Sequence, residues 1–151
     1  MLLDKLNEIF KLRNKLCFIL TNGVNKDIIE TFTNEYKINS VDIGLELSNA
    51  LFNEDLHKQL SIIALEKFNG IIEDNISVFM GQDTIVLYNL GILFEDDLKL
   101  NLESILLEIS KSVLIILLWE GEVSTHGLHF LSKKNGKLLA LKKEQYLLLE
   151  I

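Results

Sequence analysis

The residues best suited to chemistry in this chain stand together in Leu20-Thr21-Asn22-Gly23-Val24-Asn25-Lys26-Asp27. An apolar run precedes them and a helical pattern follows, which places a loop at the carboxyl end of a strand and the amino end of a helix. Open parallel sheets bind their ligands at such strand ends, and the free N–H groups of a helix start attract phosphate. A working phosphate loop, G-x-x-x-x-G-K-[ST], uses glycines so that backbone amides wrap the phosphates, a lysine to neutralise charge and a hydroxyl to hold magnesium. Aligned on Lys26, the chain has Leu20 at the first glycine, Asn25 at the second and Asp27 at the hydroxyl position, with Gly23 inside the loop. Asn22, Gly23, Asn25, Lys26 and Asp27 are the candidate cofactor-binding residues. A structural reading stands beside that one, in which Asn25 or Asp27 caps the helix. A carboxylate at position 27 repels phosphate, although it can help to bind magnesium.

The other chemically suggestive residues are scattered. Thr84-Ile85-Val86-Leu87 runs into Tyr88-Asn89, so no acid ends the strand that in phosphate-loop proteins holds magnesium through water. Glu95, Asp96 and Asp97 follow and suit the start of a helix, where negative charge complements the dipole. Of the histidines His57, His126 and His129, the last two lie near Glu120 and Glu122. They occupy a Gly-containing stretch with no cysteine, which reads as a solvated loop in preference to a metal cluster. No serine or cysteine carries a nucleophile motif. Lys133, Lys134, Lys137, Lys142 and Lys143 cluster near the carboxyl end. They suit either protection of a sheet edge or contact with nucleic acid or an acidic partner.

The elements that must position these residues follow from hydrophobic spacing. Residues 1–15 place Leu2, Leu3, Leu6, Ile9, Phe10 and Leu12 near helical intervals, predicting an N-terminal helix. The run Leu16-Cys17-Phe18-Ile19-Leu20 predicts a strand buried on both faces. A helix is predicted over 27–36, a short strand around Ile38, Val41 and Ile43, and helices over 45–52 and 56–72. Thr84 to Tyr88 predicts a third strand, 98–110 an amphipathic helix and Val113 to Trp119 a fourth strand. Asn135-Gly136, between apolar flanks at 128–132 and 137–142, predicts a two-residue hairpin turn, and 145–151 a further strand. Strands alternating with helices and buried on both faces predict an α/β fold with a mostly parallel sheet. The expected organisation is a single domain over 1–151, with a C-terminal β-hairpin extension over 128–151.

Bulk properties exclude several classes. The chain has 151 residues, enough to bury a sizeable core without staples. Its 22 acidic and 15 basic residues leave a net charge of −7, which argues against gripping nucleic acid by bulk charge. Cys17 is the only cysteine, so no intramolecular disulfide forms, and its apolar surroundings predict a buried, inert thiol. Residues 1–13 alternate charged and apolar residues unlike a secretory leader. The greasiest stretch, 113–119, is far shorter than the roughly 20 residues of a membrane span. A cytoplasmic location is the expectation, with no membrane partner.

The ordered blocks resemble a family of P-loop proteins from type III BREX bacteriophage-exclusion systems, the BrxF family. The similarity runs from about residue 15 to the carboxyl end. It lies in Leu16 to Asp27, in Ile38-Asn39-Ser40-Val41 before Leu45-Glu46-Leu47-Ser48, in Ile85 to Phe94 before Leu98-Lys99, and in Leu106 to Ser110 before Leu114 to Gly121. Family members typically show Leu-Asp-Asn, an apolar triplet with Phe, Ser-Arg and Trp-x-Gly. This chain has Leu87-Tyr88-Asn89, Ile92-Leu93-Phe94, Ser110-Lys111 and Trp119-Glu120-Gly121. The resemblance implies a P-loop NTPase-like three-layer fold with degenerate Walker motifs. It further implies an accessory or assembly subunit of an anti-phage defence system, with little or no ATP hydrolysis of its own. Expected partners are other defence-system proteins and, in a homo-oligomer, further copies of the chain, with nucleic acid contacted indirectly or through the 133–143 hairpin. No resident cofactor is expected, ATP with magnesium being the candidate if one binds. Two alternatives stand: an ATP-hydrolysing subunit active only in an oligomer or complex, and an unrelated regulatory protein-binding module.

Overall fold

The computed structural model describes residues 2–21, 26–52, 59–131 and 136–150. In chain order, α1 (Leu2–Leu6) leads through a 3-10 turn (Asn7–Lys11) into β1 (Leu16–Leu20). Then come α2 (Lys26–Tyr36), β2 (Ser40–Asp42), α3 (Ile43–Phe52), α4 (Leu60–Asn75), β3 (Ser77–Phe79) and β4 (Gln82–Tyr88). Two 3-10 turns precede α5 (Leu102–Ile109) and β5 (Leu114–Trp119). The chain ends in β6 (Gly121–Ser124), β7 (Gly127–Phe130), β8 (Lys137–Leu139) and β9 (Leu147–Glu150).

The central sheet has the order β2-β4-β5-β1-β9, with each of these pairs parallel. The short β3 is antiparallel to β4 and shares its outer edge with β2, pairing Ser77 with Thr84 where β2 pairs Ser40 with Val86. Alternation of side chains along each strand sends one set to each face. Cys17, Ile19, Val86, Leu114 and Ile116 pack beneath α1 and α2, with Leu6, Ile9, Ile29 and Phe32. Leu16, Phe18, Ile85, Leu87, Ile115, Leu117 and Trp119 pack against α3, α4, α5 and a small antiparallel sheet, β6-β7-β8. Two buried faces produce the unbroken apolar runs seen in β1 and β5. The expected mixed α/β fold with a mostly parallel sheet is present.

Several boundaries differ from expectation. The helix expected over 1–15 is one α-turn followed by a 3-10 turn, and Leu12 is already extended. Burial of Leu2, Leu6 and Ile9 anchors this short element, while the chain has to straighten to enter β1. Ile43 belongs to a helix, not a strand, because the Asp42 carboxylate accepts the Leu45 N–H at 2.9 Å and starts α3 there. The helix expected to open at residue 56 is described from Leu60 and runs on to Asn75. The one expected over 98–110 starts at Leu102, where the Asn101 side chain accepts the Ser104 N–H at 3.2 Å. The β3–β4 hairpin was not legible, because its turn residues, Met80 (φ 52) and Gly81 (φ 75), are not a usual turn pair. The stretch read as a solvated loop around His126 and His129 is the β6–β7 hairpin. At the expected terminal hairpin β7 pairs antiparallel with β8, and Asn135 lies outside the described residues. β9 then returns to the main sheet beside β1.

Cys17 lies in the middle of this core with no exposure, and burial holds its thiol far above the ordinary cysteine range. A thiol reagent is expected to leave native protein unlabelled and to modify Cys17 fully in denaturant. Fast labelling without denaturant would mean that β1 opens in the native state.

Candidate functional site

Each central strand ends in a polar residue. Thr21 follows β1, Glu120 follows β5 and Tyr88 closes β4. The neighbours β1 and β5 send the chain in opposite directions, β1 through α2 to β2 at one edge and β5 through the small sheet to β9 at the other. This is a topological switch point, where α/β sheets form ligand crevices. A cleft of ≈ 440 Å³ lies there, between the strand ends and α2. Thr21, Ser40, Tyr88, Leu118 and Glu120 line the sheet side, and Ile29, Glu30, Thr33 and Asn34 the helix side. None of the described side chains lining it is basic.

The floor is locked by hydrogen bonds. Thr21 is 6% exposed; its N–H donates to the Trp119 carbonyl at 3.0 Å and its hydroxyl to the same oxygen at 3.4 Å. Thr33, also 6% exposed, donates its hydroxyl to the Glu30 carbonyl at 3.0 Å. The sequence marks these strand ends: Thr21, Tyr88 and Glu120 each follow an apolar run. Glu30, Thr33 and Asn34 share one face of α2 by their three- and four-residue spacing, a pattern the motif-led reading passed over.

Of the residues expected to bind a nucleotide, Asn22, Gly23 and Asn25 lie outside the described residues. Lys26 opens α2 directly after that segment. Asp27 is exposed and lines a different groove, of ≈ 580 Å³ between α1 and α2, with Leu2, Leu3, Ile28, Phe32 and Tyr36 among its walls. Asp27 and the strand-end cleft are therefore separate features.

The remaining motif residues have structural roles. Asn89, in the left-handed region at φ 58, donates from its side-chain amide to Asp42 Oδ1 at 2.8 Å, tying the end of β4 to the start of α3. Gly44 makes room for it, since a Cβ there would lie 2.4 Å from Asn89 Nδ2. Gly44→Ala is expected to push the amide off Asp42 and to cost about 1–3 kcal/mol, measurable as a lowered urea midpoint. An unchanged midpoint would mean that Asn89 swings away freely.

Ser110 is fully buried at the end of α5, where its Oγ accepts from the Asn14 amide at 3.3 Å and its carbonyl accepts the Lys15 N–H at 2.7 Å. Lys111 is on the surface, and its 2.9 Å hydrogen bond to Glu108 holds that carboxyl below its usual range. Trp119 is fully buried, edge-on to Phe18 (5.4 Å), Phe94 (5.8 Å) and Phe130 (5.6 Å), with its indole N–H on the His129 carbonyl at 3.2 Å. Tyr146 extends this cluster from Phe18, and burial raises its hydroxyl above the ordinary range.

The histidine region holds a Ser124 Oγ–His129 Nε2 hydrogen bond of 2.6 Å, while the same Oγ accepts the His126 N–H at 3.1 Å. These bonds close the β6–β7 turn. Among the described residues no group of three or more His, Cys, Asp or Glu is placed to hold a metal, and His57 lies outside them. Lys137 pairs with Asp96 at 3.0 Å, Lys142 and Lys143 are exposed, and Lys133 and Lys134 lie outside the described residues. No described helix is long and apolar enough to cross a membrane. Comparison with protein-family models, with curated proteins and with solved structures returns no significant match.

Proposed function

We propose that this chain is an accessory subunit of a BREX-type anti-phage assembly, keeping a P-loop NTPase-like scaffold as an interaction module with little or no ATP hydrolysis. The observation that carries the loss of hydrolysis is the chemistry of the strand ends. Tyr88 stands where the resemblance places a magnesium-holding aspartate, and the adjoining cleft presents Glu30 and Glu120 with no described basic side chain. A triphosphate carries several negative charges, and two carboxylates facing it oppose binding. The defence assignment itself draws on the order of the sequence blocks. Two of them, Ile92-Leu93-Phe94 and Trp119-Glu120-Gly121, meet in the aromatic cluster around Trp119, which is how a scaffold maintained for shape, not catalysis, would keep them.

Magnesium–ATP titrated into the purified protein by calorimetry is expected to give no micromolar binding. In the native host, deletion is expected to weaken phage resistance, and Lys26→Ala in the restored gene to leave resistance at the wild-type level. The competing reading, an ATPase that completes its site with a neighbouring subunit, draws on Lys26 at the start of α2 directly after the β1 segment. Loss of resistance in a folded Lys26→Ala protein, together with nucleotide hydrolysis by the assembly, would establish that reading instead.

A further inference from the structure

We draw no further inference here: the strongest candidate, the apolar groove of ≈ 580 Å³ between α1 and α2 walled by Leu3, Ile28, Phe32 and Tyr36, carries nothing because nothing in the structure shows what covers it.

Discussion

Trp119→Ala is expected to lower the unfolding free energy by about 3–5 kcal/mol, a large fraction of the roughly 5–15 kcal/mol that holds a domain together. Trp119 has no exposed surface and touches rings from three other segments, Phe18 of β1, Phe94 of the turn after β4 and Phe130 of β7. Deleting the indole opens a cavity at the junction of the two sheets that rigid strands cannot close. It also removes the donor to the His129 carbonyl. Because Trp119 is the only tryptophan, the variant has to be followed by circular dichroism in urea. Trp119→Phe separates the losses, keeping most of the packing and giving up the hydrogen bond, and is expected to fall between the alanine variant and the parent. A midpoint for Trp119→Ala within error of the parent would remove the aromatic cluster from its place as the joint between the sheets.

The second large effect is expected two residues on. A Cβ on Gly121 would lie 2.0 Å from the His129 carbonyl oxygen and 2.9 Å from the Leu131 nitrogen, both backbone atoms of the facing segment. No rotamer change relieves a clash with backbone, so Gly121→Ala has to pry β6 from β7. That breaks the Gly121–Phe130 pairing and the Leu131 N–H bond to the Glu120 carbonyl at 2.8 Å. The cost is expected to reach at least about 3 kcal/mol, the upper end for overpacked sites. Gly70 is the internal control: nothing lies within 4 Å of its added Cβ in α4, so Gly70→Ala is expected to stabilise by up to about 1 kcal/mol. Equal midpoints for the two glycine variants would refute the close approach at Gly121. The indole of Trp119 uses the same His129 carbonyl that Gly121 leaves room for. The double variant is therefore expected to lose less than the sum of the single losses, and Trp-x-Gly acts as one packing unit.

Much of the scaffold is legible in the hydrophobic spacing of the chain. The unbroken apolar runs at 16–20 and 113–119 suit strands covered on both sides, since an edge or one-sided strand alternates with polar residues. The helices over 27–36 and 45–52 announced themselves by an apolar stripe. Failures came where local signal is weak or is overruled by tertiary context. Ser77-Val78-Phe79 is three residues with a Met80-Gly81 turn, too short for a period to register. Glu122 reads as a loop residue because β6 is short and partly polar, and only its pairing with the expected hairpin arm that carries His129 makes it sheet.

For the candidate site the division is sharper. Sequence by itself determined that one strand-to-helix junction carries Lys26 without the glycines or the hydroxyl of a phosphate loop, and that Tyr88, not an acid, ends the strand over 84–88. Those are properties of single positions, readable from residue type. Only tertiary structure decided that Thr21, Glu30, Thr33, Tyr88 and Glu120 share one cleft, because they come from three strand ends and a helix face separated by up to a hundred residues. It alone also set what the two threonine hydroxyls approach, because the Trp119 and Glu30 carbonyls beside them are placed by the parallel pairing of β1 with β5 and by the turn of α2.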